Sequence, residues 1–147
     1  MTASGISLVD ANVWLAIAVD GHVHHATATN WFNAQPDGAC AFCRITQLAL
    51  LRHLTNAKIM GEANVLSQID AWHAFEALAA DSRVLYLDEP HGLGVVFKSF
   101  TQRSVPGHKR WTDAYLAALA ATLSLEVVTF DTGLTGYAGV SVKLLAP

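Results

Sequence analysis

Short apolar runs alternate along this chain with longer stretches whose apolar residues recur at helical spacing. Ile6, Leu8 and Val9 form the first run, which stops at Asp10, and from Ala11 to Val19 the period becomes that of a helix. Asp20-Gly21 is a turn signal. Ala26, Ala28, Trp31 and Phe32 then give the apolar stripe of a second helix, Val23 to Phe32. Gln35-Pro36-Asp37-Gly38 turns the chain into a second strand over 39–43. Arg44 to Leu54 follows as a helix with Ile45, Leu48, Leu51 and also Leu50 inward, closed by Thr55-Asn56. Beyond Gly61, the spacing of Val65, Ile69, Trp72, Phe75, Leu78 and Ala79 predicts one long amphipathic helix from Glu62 to Ala80. Arg83 to Leu87 is a third strand, Leu93 to Phe100 a short helix, and the segment around Pro106-Gly107 a loop. Thr112 is placed to cap a helix through Ala120, Glu126 to Phe130 is a fourth strand ending at Asp131, and Val140 to Leu145 is a last short strand. Strands alternating with helices predict an α/β fold in three layers, α/β/α, around a central parallel sheet of four to five strands.

Composition adds a surplus of apolar sequence to that picture. The 147 residues suit one domain, 1–147, with its own core. Hydrophobic residues make up 52% and charged residues 14%, against about 25% charged in a typical soluble chain. One small domain cannot easily hide that surplus, so a partner surface is expected, for a second copy or another chain. A membrane span needs ~20 consecutive apolar residues. The most apolar stretch, Ala114 to Leu125, is too short and reads as a buried helix. Met1 to Gly5 carries no basic leader, and a cytoplasmic protein is expected. The net charge of −3 excludes a bulk positive field for nucleic acid, so any such binding needs a local basic patch.

Two clusters invite a metal reading and a plainer one. Cys40 and Cys43 form a C-x-x-C, but no second ligand pair is spaced to complete a zinc site, and the run 39–43 reads as a buried strand. His22, His24 and His25 crowd a helix start with no Glu or Cys beside them, which suits a solvated helix start or a surface contact.

The acids carry the chemistry. Asp10 alone fits a helix cap as well as a metal ligand. Yet Asp10 ends one strand, Asp131 ends another, and Asp113 begins the helix that returns to the second of them. In a right-handed βαβ arrangement all three fall on the carboxyl edge of the sheet. Carboxylate oxygens without paired Cys or His suit Mg²⁺ or Mn²⁺, ions that serve phosphoryl chemistry.

With those residues in view, the pattern Leu8-Val9-Asp10-Ala11-Asn12-Val13, then Thr112-Asp113-Ala114-Tyr115-Leu116-Ala117-Ala118, then Thr129-Phe130-Asp131, resembles a PIN domain. It is similar in particular to the VapC-type toxins of bacterial toxin–antitoxin pairs, over nearly the whole chain. The resemblance implies a magnesium-dependent endoribonuclease in which Mn²⁺ can substitute. It implies a homodimer, neutralised by a small cognate VapB-type antitoxin. The family's metal ligands carry over to Asp10 and Asp113, with Asp131 as the third acid.

One departure stands out. Family members commonly carry a Glu in the helix after the second strand, where this chain has Ala49. Gln47 could supply an amide oxygen there, or water could fill the coordination sphere. Asn12 and Thr129 stand within two residues of proposed ligands, in reach of carboxylates, although Asn12 fits equally an ordinary first-turn position. Arg52 is either a phosphate or carboxylate contact or a surface arginine. Lys98, Arg103, Lys109 and Arg110 lead into Asp113, and Lys109 and Arg110 head a candidate track for the RNA backbone, with Trp111 as a stacking platform. A solvated loop with one buried Trp accounts for the same residues. Other classes fit less well. An aspartyl phosphatase wants a second Asp where Asn12 stands, and a phospho-receiver wants a lysine that Lys143 supplies too late. A degenerate PIN-fold binding module without nuclease activity rests on the missing Glu alone.

Overall fold

Ser7–Val9 (β1) is the middle strand of the sheet in the computed structural model, which describes residues 5–146. The leader reading of Met1 to Ser4 lies outside the described residues. All three residues of β1 are buried, because the strand has a neighbour on each edge and helices over both faces. The chain continues through α1 (Ala11–Ala18), α2 (His25–Asn33), β2 (Cys40–Phe42), α3 (Arg44–Leu54), α4 (Ala57–Met60), α5 (Gln68–Ala79) and β3 (Val84–Tyr86). It then runs through α6 (Leu93–Thr101), α7 (Trp111–Leu123), β4 (Glu126–Thr129), a 3₁₀ turn (Thr132–Gly136) and β5 (Ser141–Leu144). The five strands are parallel in the order β3-β2-β1-β4-β5, with Leu8 opposite Ala41 and Val127.

Strand alternation divides the core in two. Val9, Cys40, Phe42 and Val128 face α1, α2, α3 and α5, where the Trp14 indole stacks on Phe42 at 4.0 Å and meets Phe32 edge-on. Leu8, Cys43 and Val127 face α6 and α7 on the other side. Cys40 and Cys43 thus point to opposite faces, and they cannot share a metal ion. Both thiols are buried and free, and burial pushes the Cys40 thiol up to about 12. The histidines are structural too. A His25 ring nitrogen bonds the Ala16 carbonyl at 2.7 Å, pinning the end of α1, and His22 Nδ1 accepts from the His24 backbone N–H at 3.0 Å. Among the described residues no helix is long and apolar enough to cross a membrane.

Four local expectations are corrected. First, α3 turns Thr46, Gln47, Leu50 and Leu54 inward, and Leu48 is 50% exposed. The Thr46 hydroxyl accepts from the Cys43 N–H at 3.0 Å, which fixes the phase of the first turn. Second, no single helix spans Glu62 to Ala80. Asn56 caps α4 by accepting from the Lys58 N–H, Gly61 breaks the chain at φ +80°, and Ser67 caps α5 by accepting from the Asp70 N–H. Ala71 and Phe75 are the inward residues of α5, while Ile69 is 68% exposed. Third, α2 begins at His25 and leaves Val23 outside it, exposed. Fourth, α7 begins at Trp111 after Arg110, so Thr112 lies inside the first turn and does not cap it.

Candidate metal centre at the reversal of strand order

The chain lays down β1, β2 and β3 outward in one direction, then crosses to place β4 on the other side of β1. In open α/β sheets the crevice at such a reversal, outside the carboxyl ends of the strands, collects ligands. Asp10 directly follows β1, Asp131 lies two residues past β4, and Asp113 sits in the first turn of α7, which leads back to β4. The topology therefore gathers three acids from both ends of the chain, as their positions in the sequence suggested.

Asp10 fills the capping role considered for it. Its Oδ1 accepts from the Ala11 N–H at 2.7 Å and caps α1, while its Oδ2 accepts from the Thr129 hydroxyl at 2.8 Å. The buried Thr129 oxygen in turn accepts from Asn12 Nδ2 at 3.3 Å and from the Asp131 N–H at 2.9 Å. Asn12 Oδ1 accepts from the Phe130 N–H at 3.4 Å. Asn12 and Thr129 thus tie the end of β1 to the end of β4. Asp131 Oδ1 accepts from the Gly133 N–H at 2.9 Å. A Cβ at Gly133 would stand 3.0 Å from Asp113 Oδ2 and 3.3 Å from Asp131 Oδ1, so these two carboxylates converge on the space that this glycine leaves open.

The electrostatics of the three acids suit a divalent cation. Burial lifts the Asp10 carboxyl above its ordinary range; the Thr129 and Ala11 hydrogen bonds counter it, and Asp131 adds to it. Burial, then Asp131 and Asp10, raise Asp113 to about 6. Among the described residues none of the three acids makes an ion pair. No group of three or more His, Cys, Asp or Glu among the described residues is placed to hold a metal ion as it stands. A divalent ion there would draw on the Asp113 and Asp131 carboxylates, which converge at Gly133, and on water.

Two neighbours of the cluster were not legible in the sequence. His53, half-buried on α3, interacts electrostatically with Asp10, and burial together with Arg52 lowers its pKa. It lies four residues after Ala49, on the same helical face. Tyr137 carries a raised pKa from burial and from Asp113, opposed by Arg103 and Arg110.

The remaining expected residues divide. The Gln47 amide oxygen is taken by Arg44 Nη1 at 2.6 Å, so the proposed ligand is engaged with a cation instead. Arg52 is exposed in a groove between α3 and α5 with Leu48, Ile69 and Trp72. Arg110 and Trp111 line a cavity that reaches Ala114, next to Asp113, and Lys109 is exposed beside them.

Comparison with known proteins agrees with the fold. Residues 7–140 match the PIN domain family model. The chain is 43% identical to Ribonuclease VapC41 of Mycobacterium tuberculosis, over 95% of this chain and 98% of that one. It is 32% identical to Ribonuclease VapC38 of the same organism, over 87% of this chain and 86% of that one. Among solved structures, Mycobacterium tuberculosis VapC20, described as a sarcin-ricin loop cleaving toxin, superposes with a TM-score of 0.65 at 17% identity, covering 92% of this chain and 98% of that one. At that identity the likeness speaks for the fold.

Proposed function

The chain belongs to the PIN-domain family, alongside the VapC ribonucleases, and from that premise we propose that it is the toxin of a type II toxin–antitoxin pair. Its activity is endonucleolytic hydrolysis of RNA, dependent on Mg²⁺ with Mn²⁺ able to substitute. A small VapB-type antitoxin neutralises it. The observation that carries this reading is the gathering of Asp10, Asp113 and Asp131 at the reversal of strand order, where among the described residues none of them makes an ion pair.

Asp10, Asp113 and Asp131 would hold the divalent ion, which would supply an activated water and positive charge for the in-line transition state. Water adds at phosphorus, the bond to the 3′ oxygen breaks, and the products are a 5′-phosphate and a 3′-hydroxyl. The chain's own part is orientation. The Ala11 N–H and the Thr129 hydroxyl hold Asp10, the Gly133 N–H holds Asp131, and Thr129 fixes their spacing. Lys109 and Arg110, exposed at the entrance to α7, supply the contacts to RNA phosphates. The half-exposed Leu48, Ile69 and Trp72 along α3 and α5 offer the surface of a homodimer.

The test is cleavage of a total RNA pool by protein freed of antitoxin, with Mg²⁺ or Mn²⁺, beside Asp10→Asn and Asp113→Asn. Discrete products from the wild type, lost with EDTA and reduced at least about 100-fold in both variants, are expected from the electrostatic role of these acids. Folded wild-type protein that binds RNA but releases no product in either metal would instead mark a degenerate PIN-fold binding module.

A further inference from the structure

Beside the acid cluster, a half-open cavity of about 130 Å³ is lined by Phe100, Arg103, Arg110, Trp111, Ala114 and Tyr137, among others. At ~30 Å³ per water it holds about four waters. That is room for one flat heteroaromatic ring, and far less than the ~300–1,000 Å³ of a pocket for a drug-sized ligand. Its walls are aromatic. The Phe100 and Tyr137 rings lie 5.4 Å apart, and Trp111, 53% exposed, leans on Phe97 at 6.2 Å. Its rim carries two guanidinium groups, both exposed. Ala114 on its wall directly follows Asp113 in α7, and Tyr137 on its wall interacts electrostatically with Asp113, so the cavity lies beside the proposed cleavage centre.

A slot the size of one ring, lined by three aromatic residues and two exposed arginines, with a proposed phosphodiester centre beside it, matches one chemistry. Bases of looped or single-stranded RNA can be splayed out and stacked on aromatic side chains, while arginines follow the backbone. Building on the ribonuclease reading, we infer that this cavity seats a single unpaired nucleobase next to the scissile phosphate. Tyr137 and Trp111 are its stacking faces, and Arg103 and Arg110 bind the flanking phosphates. Tyr137 is then a residue that sets substrate selection, and base preference at one position is written by this slot.

The test has two arms on one randomised single-stranded RNA library. Cleavage ends are mapped with divalent ion present. Binding is measured in EDTA by tryptophan fluorescence, with Trp111→Phe as the reference. The wild type is expected to prefer one base class at a fixed position about tenfold, the scale of a single base–aromatic stack. Tyr137→Ala flattens that preference and Tyr137→Phe keeps it. Arg103→Ala, at an exposed residue whose loss spares the fold, weakens binding of all sequences alike and lowers the salt slope by about one. Base preference unchanged in Tyr137→Ala, or absent from the wild type in both arms, would overturn the inference. Binding that depends on Tyr137 without any cleavage would keep the slot and remove the ribonuclease reading. Cleavage whose base preference ignores Tyr137 would do the reverse.

Discussion

The Thr129 hydroxyl donates to Asp10 and accepts from Asn12 and the Asp131 N–H, so one buried oxygen sets the spacing of two acids. Thr129→Val keeps the shape and leaves those partners unsatisfied. It should cost about 1–3 kcal/mol in denaturant unfolding. Loss of such an outer partner typically costs about 10–100-fold in metal affinity or activity, and RNA cleavage should fall on that scale. Asp113 gives a prediction in pH. Its pKa in the folded chain, about 6, lies above its ordinary value of 3.8. The folded state therefore holds more protons than the unfolded state between those limits, and metal-free stability falls as pH rises from about 4 to 6. At this half-exposed group the effect is on the order of 1 kcal/mol after solvent screening. Thermal melts in EDTA should show that fall in the wild type and a smaller one in Asp113→Asn, the remainder belonging to the raised Asp10 carboxyl. Added Mg²⁺ should restore stability at pH 7 far more than at pH 5. Asn12 and Thr129 could be picked out beforehand because they neighbour the acids in sequence. His53 and Tyr137 could not, since only the packing of α3 and the 3₁₀ turn brings them near Asp10 and Asp113.

At the scale of elements, the apolar pattern located every strand and most helices, because strands buried on both faces need unbroken apolar runs. It failed where local polar chemistry outranked periodicity. In α3 the residue turned inward is Thr46, whose hydroxyl serves the first turn, and Leu48 is left outside. Between Asn56 and Ser67 two cap side chains and a positive-φ glycine divide what spacing alone joined into one helix. Asn56 was read as an ending, because asparagine suits the end of one helix as readily as the start of the next. Ile69 and Trp72 also fit the wrong face, since an exposed apolar residue looks like a core residue in a single sequence.

Across the whole molecule, part of the exposed apolar surface gathers in one place. Leu48, Ile69 and Trp72 stand out of the surface around the groove between α3 and α5, with Arg52 at its side. If this face pairs two copies, Ile69→Asp should convert a dimer to a monomer in sedimentation analysis at micromolar concentration, with no change in the melting of the monomer core. An unchanged dimer would place the contact elsewhere. The order of the strands reaches further. Because β4 inserts beside β1 only after β2 and β3 are laid down, the centre is divided between the first and last thirds of the chain. A growing polypeptide that already displays Asp10 still lacks Asp113 and Asp131. At roughly 5–20 residues per second, the stretch between them takes on the order of 5–20 s to synthesise. On the proposed assignment of the three acids, a nuclease made on RNA and among RNA would be harmless to its own translation until that translation is almost finished.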